Sequence, residues 1–151
     1  DTDGHPNILS LAWQTPLSHD PPMLGISVDA RRYSQRLIEQ VVEFVVNVVD
    51  RRFQDAVEQC GNISGEDCDK ALKVGLSLLP AHCVKPPLIA GALAHLECHV
   101  EQRIPTGDHM FFVGRVLYAQ VDSRAFQDAW HPVEGDVLLC LQRDRFGTWK
   151  S

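Results

Sequence analysis

Long apolar runs are scarce in this chain of 151 residues: stretches such as Val45 to Val49 and Met110 to Val113 fall far short of the roughly 18 residues that a membrane-spanning helix needs. A surplus of positive charge is missing as well. Against 14 Lys and Arg stand 20 Asp and Glu, for a formal net charge of -6 and a pI near 5.6, so neither nucleic acid nor a membrane surface is expected as a partner. Any anion must be caught locally. The sequence has no GxGxxG, Walker loop, HExxH or GxSxG string, and the common nucleotide, zinc-peptidase and esterase readings therefore lack their mechanics. The five cysteines, Cys60, Cys68, Cys83, Cys98 and Cys140, form an odd set with no CxxC pair, which argues against a disulfide framework and a thiolate zinc site and for reduced thiols in the cytoplasm. A starting Met is also lacking: the chain opens at Asp1-Thr2-Asp3-Gly4, and whether an earlier segment, a signal peptide included, once preceded it stays open.

What is there reads as a soluble globular chain, 44% apolar and 23% charged, and residues 1–151 are expected to form a single domain. Asn7 to Trp13 reads as a strand. Pro16, Pro21 and Pro22 then predict an extended loop before a strand over Met23 to Val28. Ser34 is placed to cap a helix carrying Leu37, Ile38, Val41 and Val42 on one face. Glu43 to Val49, β-branched and apolar on both faces, predicts a strand inside a barrel. A second helix through Phe53, Val57 and Cys60 is expected to end at Gly61, followed by a polar loop from Asn62 to Lys70 and a short helical stretch within Asp69 to Leu79.

Ala92 to Ile104 alternates cleanly, with Ala94, Leu96, Cys98 and Val100 on one face and His95, Glu97, His99, Glu101 and Arg103 on the other, which predicts a solvated face. Thr106-Gly107-Asp108 marks a hairpin turn into a strand from Met110 to Val121. A last strand falls on Val137 to Leu141, before Arg143 to Trp149. His95, Glu97 and His99 look at first like metal ligands, but residues four apart on a strand are roughly 13 Å apart, so no metal site is expected. The fold class is mainly β: an antiparallel split β-barrel with a few peripheral helices.

Several strings occur in a telling order: Asn7 to Trp13, Pro21-Pro22 before Ile26-Ser27-Val28, Arg32-Tyr33-Ser34 leading to Leu37-Ile38, and Glu43 to Val48. Ser64-Gly65 with Asp69-Lys70, Leu96-Glu97-Cys98, and Gly107-Asp108-His109 with Val113-Gly114 continue it. Together they resemble the flavin reductase-like family, FMN-binding split barrels that include flavoredoxin, from about Asp3 to Trp149. The family has a further strand ahead of the Asp-Gly turn that is missing here, and Arg115 and Gly91 depart from its pattern.

The resemblance implies FMN held non-covalently at the interface of a homodimer. It also implies hydride accepted from NADH or NADPH and electrons passed to free flavin, an acceptor protein or a small molecule. The alternative it leaves open is an electron carrier or flavin-binding module that does not itself oxidise nicotinamide. FMN asks for a phosphate grip, partners for the ribityl chain and a slot for a flat ring. Arg31, Arg32 and Ser34, at a helix N-terminus, suit the phosphate; the plainer reading is a helix cap beside two solvated arginines. Ser10, Ala12 and Trp13 resemble positions beside the ring, although Trp13 could equally be core. Asn47, an amide in an apolar strand, needs partners that either the flavin or a neighbouring loop could supply. Ser64 and Lys70 resemble residues bordering the site. His109 resembles the family histidine where nicotinamide approaches, positioning the donor rather than attacking it.

Overall fold

A computed structural model describes residues 3–131, 136–142 and 145–148; Arg143 and Trp149, with Asp1 and Thr2, lie outside the described residues. Its strands are β1 (Gln14–His19), β2 (Pro22–Asp29), β3 (Glu43–Val48), β4 (Leu78–Leu79), β5 (Leu88–Ile89), β6 (Ala94–Thr106), β7 (His109–Val121), β8 (Leu138–Gln142) and β9 (Arg145–Thr148), and its α-helices are α1 (Tyr33–Val41), α2 (Gln54–Asn62) and α3 (Lys70–Val74). Five strands make one antiparallel sheet in the order β1-β2-β7-β6-β3, while β4 pairs with β5 and β8 with β9. The hairpin of β6 and β7 closes at Thr106 opposite His109, as the Thr-Gly-Asp turn predicts. No helix among the described residues is long and apolar enough to cross a membrane.

Period-two alternation decides which way each strand faces. Leu24, Ile26 and Val28 of β2, Phe44 of β3, Cys98 and Val100 of β6 and Phe112 of β7 form a continuous core on one face of the sheet. Leu9 and Leu11 of the N-terminal segment and Ile38 of α1 pack onto that face.

Asn7 to Trp13 is not a strand: β1 begins at Gln14. Leu9 and Leu11 lie on the core and Ser10 is tied to α2, so the segment crosses the sheet and joins it only at Trp13, whose carbonyl accepts the Ser27 amide at 2.9 Å. Pro16 lies within β1 rather than in a loop, where a missing N–H is tolerated because β1 is an edge strand. Ser34 does not cap α1. Arg32 occupies that position without a side-chain cap, and Ser34 falls in the first turn. The helix stops at Val41, and Val42 takes a left-handed φ of 63° that turns the chain straight into β3. Helix α2 runs through Gly61 to Asn62. Lys70 is not in a polar loop but opens α3, capped by Asp69 and buried. Strand β3 is the edge of the sheet, not its interior.

The face that the alternation leaves to solvent is half covered. Glu97 is 0% exposed and His95 is buried, whereas His99, Glu101 and Arg103 are exposed. Residues 80–89 form a strap over this end of the β3–β6 ladder. Pro80, Pro86 and Pro87 bring no N–H to it, and the side chains beneath receive four of those that remain. Glu97 accepts the amides of His82 at 3.0 Å and Cys83 at 2.6 Å, Glu43 accepts Lys85 at 2.8 Å, and Asn47 accepts Ile89 at 2.9 Å. The His82 ring also stacks on Tyr118 of β7. A buried carboxylate is costly unless hydrogen-bonded. Burial alone pushes the Glu97 carboxyl up, but the amides of His82 and Cys83 and the His82 imidazole outweigh it and hold the group below its ordinary 4.5.

A depressed carboxylate stabilises the fold fully above its unfolded pKa and loses that contribution as pH falls through the folded one. On acidification below pH 4.5, amide exchange at His82 and Cys83 is therefore expected to accelerate ahead of the core amides. Glu97→Gln, which leaves one acceptor for two donors on a fully buried side chain, should cost about 1–3 kcal/mol in urea unfolding; wild-type stability with unchanged exchange would show that the strap is held by something else.

Candidate functional site

Between the N-terminal segment, the edge of β3 and the strap lies a cavity of about 870 Å³, within the size range of small-molecule and cofactor sites. Its walls are mainly apolar: Leu9 and Leu11, Leu37 and Ile38 of α1, Val45 of β3, Pro80 and Pro86 of the strap, and Leu139 and Phe146 of the β8–β9 hairpin. Polar groups are set into them at separate points. Of the residues singled out from the sequence, Ser10, Ala12, Ser34 and Asn47 line this space.

Each is fixed by a traceable contact. The Ser10 hydroxyl donates to the Val57 carbonyl at 2.5 Å, which leaves only its lone pairs for anything else. Ser34 Oγ lies 2.7 Å from Asn7 Nδ2. Asn7 Oδ1 is then buried with no partner among the described residues. Because a hydroxyl both donates and accepts, turning the Asn7 amide over would only exchange the orphaned oxygen for an orphaned NH2. Asn47 Oδ1 takes the Ile89 amide and lies 2.7 Å from His95 Nδ1. The amide thus bonds a neighbouring loop while also lining the cavity.

Two cations lie behind this lining, at the end of α2, without lining the space themselves. Lys70 Nζ donates to the carbonyls of Ile8 and Cys60 at 2.9 Å each. Arg32 donates to the Gly61 carbonyl at 3.3 Å, so both side chains meet at the end of α2. Burial pushes the Lys70 ammonium below its ordinary 10.5, and the positive charge of Arg32 adds to that. Helix α1 starts beside them with no side-chain cap and no acidic residue in its first turn, leaving its positive end unopposed.

The remaining residues fall elsewhere. Arg31 is held in a two-pronged ion pair by Asp29, with Nη2 2.7 Å and Nε 3.1 Å from the carboxylate; the pair drives the Asp29 carboxyl far below the usual range. Its charge is spent locally. Trp13 is not core: it is 62% exposed and stacks on His109 with ring centres 4.7 Å apart. His109 Nδ1 lies 2.6 Å from Asp108 Oδ1, and Asp29 sits opposite His109 in the β2–β7 ladder. Trp13, Arg31 and His109 thus form a second cluster outside the cavity lining, next to it in the chain at Ala12. Ser64 Oγ accepts the Glu66 amide in a turn outside the cavity lining.

Sequence reasoning gave no role to Asn7, to Asp29 and Asp108 as partners of the second cluster, or to His95 as a partner of Asn47. Asn7 opens one of the family-like strings, the one signal that pointed its way. The departing Gly91 has a physical reason: its φ of 81° is one that other residues rarely adopt. Arg115 lies near Glu101, at 4.0 Å.

A comparison with family models matches the flavin reductase like domain over residues 1–150, and the chain belongs to that family. An uncharacterised protein of Archaeoglobus fulgidus is 37% identical over 82% of this chain and 69% of its own length. A crystal structure of an FMN-binding protein from Thermus thermophilus, with bound p-hydroxybenzaldehyde, superposes with a TM-score of 0.84 at 27% identity, covering 94% of this chain and 77% of that one. The flavoredoxin of Desulfovibrio vulgaris (Miyazaki F) is similar in fold, with a TM-score of 0.89 at 23% identity over 100% of this chain and 82% of its own. The antiparallel strands of this chain are those of a split barrel with peripheral helices.

The structure explains the Ser64-Gly65 string sterically: a Cβ on Gly65 would overlap the Asn7 amide. Gly65→Ala should therefore displace Asn7 from Ser34 and lower the melting temperature by several degrees. A melting curve superimposable on the wild type, with the Asn7 amide resonances unmoved, would contradict this packing.

Proposed function

We propose that the cavity of this flavin reductase-like chain holds FMN non-covalently and that the protein is an oxidoreductase, accepting hydride from NADH or NADPH and passing electrons to free flavin or another acceptor. The observation that carries the reading is the pairing of an apolar cavity with two cations that meet no carboxylate among the described residues, beside an uncapped helix N-terminus. Arg32, Lys70 and the first-turn amides of α1 suit a phosphate. Ser34 and the orphaned amide atom of Asn7 add polar partners nearby, and the apolar wall of Leu11, Val45 and Pro86 suits a flat ring. Arg31, already neutralised by Asp29, contributes little to the grip.

Bound FMN would supply the redox chemistry, since its ring takes up hydride and releases electrons. The chain's own part is to bind, orient and exclude water. Asn47 offers its NH2 to the cavity. In the second cluster Asp108 holds Nδ1 of His109, leaving Nε2 to face a donor, and Trp13 backs the imidazole with a flat surface. His109 is in this reading a residue that positions the nicotinamide or balances charge. Exposed Trp13, Leu17 of β1 and Leu117 of β7 offer an apolar surface for a second copy, and the family resemblance supports a homodimer with FMN between the subunits. Residues 1–151 would then act as one FMN-binding unit per copy.

The purified protein should show flavin absorption bands or acquire them on adding FMN. Arg32→Ala with Ser34→Ala, its fold checked by circular dichroism, should weaken FMN binding at least about tenfold, or roughly 1.4 kcal/mol; unchanged affinity would reject the site. Anaerobic mixing with NADH or NADPH should bleach the flavin within turnover time. A flavin that stays oxidised would make the protein a carrier instead of an enzyme.

A further inference from the structure

We infer that His95 is a positioning residue, one that fixes the side-chain amide of Asn47 so that its NH2 group is presented to the cavity. The identity of the amide atoms follows from the strap. A backbone N–H can only donate, so the atom of Asn47 that lies 2.9 Å from the Ile89 nitrogen must be the oxygen. His95 Nδ1 lies 2.7 Å from that same oxygen, which leaves Nδ1 only one role, that of donor, so that in the neutral ring Nε2 is the unprotonated nitrogen. Neutrality agrees with the setting: His95 is 8% exposed, and its burial pushes the imidazole below 6.5 although Glu97 pulls the other way.

With both lone-pair directions of Oδ1 occupied, the amide cannot turn over without losing the Ile89 bond and forcing His95 into its other tautomer. Its Nδ2 meets no acceptor among the described residues, and Asn47 lines the cavity. An amide locked on one side with its donors unused on the other is arranged for a ligand atom that accepts. If the cavity holds FMN, as proposed above, that atom is one of the acceptors of the flavin ring, and His95, which does not line the cavity, acts on it only through Asn47. The two residues stand directly opposite each other in the β3–β6 ladder, so the arrangement is built into the register of the sheet.

The ligand-free protein tests the geometry directly. Nitrogen-15 NMR should show His95 protonated on Nδ1 and not on Nε2, and protonation on Nε2 would overturn the inference whether or not FMN binds. In FMN titrations, His95→Leu should raise Kd about tenfold and shift the flavin absorption band. His95→Asn, whose NH2 falls near the place of Nδ1, should recover most of both. Asn47→Asp, which still accepts from Ile89 and His95 but has no NH2, should lose affinity while the Ile89 amide stays protected from exchange. Equal affinities and spectra for wild type and His95→Leu, or His95→Asn no better than His95→Leu, would overturn the inference with the FMN reading intact. A wild type that ignores FMN while His95 carries its proton on Nδ1 would remove the FMN reading alone.

Discussion

A strap that contains three prolines has few amide hydrogens to offer, and the structure depends on where those few are received. Glu97, Glu43 and Asn47 accept them from below, and in doing so they fix the strap as one wall of the cavity. The contact satisfies two demands at once. The strap's amides find partners on the sheet, and a carboxylate with no solvent exposure finds donors that outweigh its desolvation. Without Glu97 the strap would lose its two bonds at His82 and Cys83 and keep those at Lys85 and Ile89, the pairing of β5 with β4 and the stacking of His82 on Tyr118. The cavity would then be a groove open along the edge of β3.

The electrostatics of the molecule are local, not global. A chain with net charge -6 repels anions at long range, yet Arg32 and Lys70 converge at the end of α2, where, among the described residues, backbone carbonyls alone accept from them. The neighbouring Arg31 shows the contrast. One residue along, the same guanidinium is clamped by Asp29 and its charge is cancelled at the surface. Selectivity for a phosphorylated ligand can thus arise from which arginine is left without a carboxylate partner, and not from how many arginines are present.

Much of the fold was legible in the sequence because it is written in period-two alternation: the β6–β7 hairpin, β2 and β3 fall where the pattern sets them. Several of the errors share one cause. Local pattern cannot say what crosses over a strand. Residues 7–13 alternate like a strand but pass over the sheet, with Leu9 and Leu11 turned to the core and Ser10 to α2. His95 and Glu97 alternate like solvated residues but lie under a strap contributed by a distant part of the chain. Lys70 reads as loop polarity and is in fact buried by its bonds to Ile8 and Cys60. The candidate site divides in the same way. Ser10, Ser34 and Asn47 were reached through their chemistry and the family resemblance, whereas the split between Arg31 and Arg32 depends on Asp29, and nothing in the sequence shows which arginine that carboxylate chooses.

On the proposed function, an apolar cavity walled by the N-terminal segment, β3 and the strap should receive a phosphorylated flat ring, with the phosphate at Arg32 and Lys70. A crystal structure grown with excess FMN tests it most directly. Density for the ring against Leu11 and Asn47, with the phosphate at the start of α1, is the predicted result. An empty cavity, or FMN bound away from Ser34 and Asn47, would contradict it.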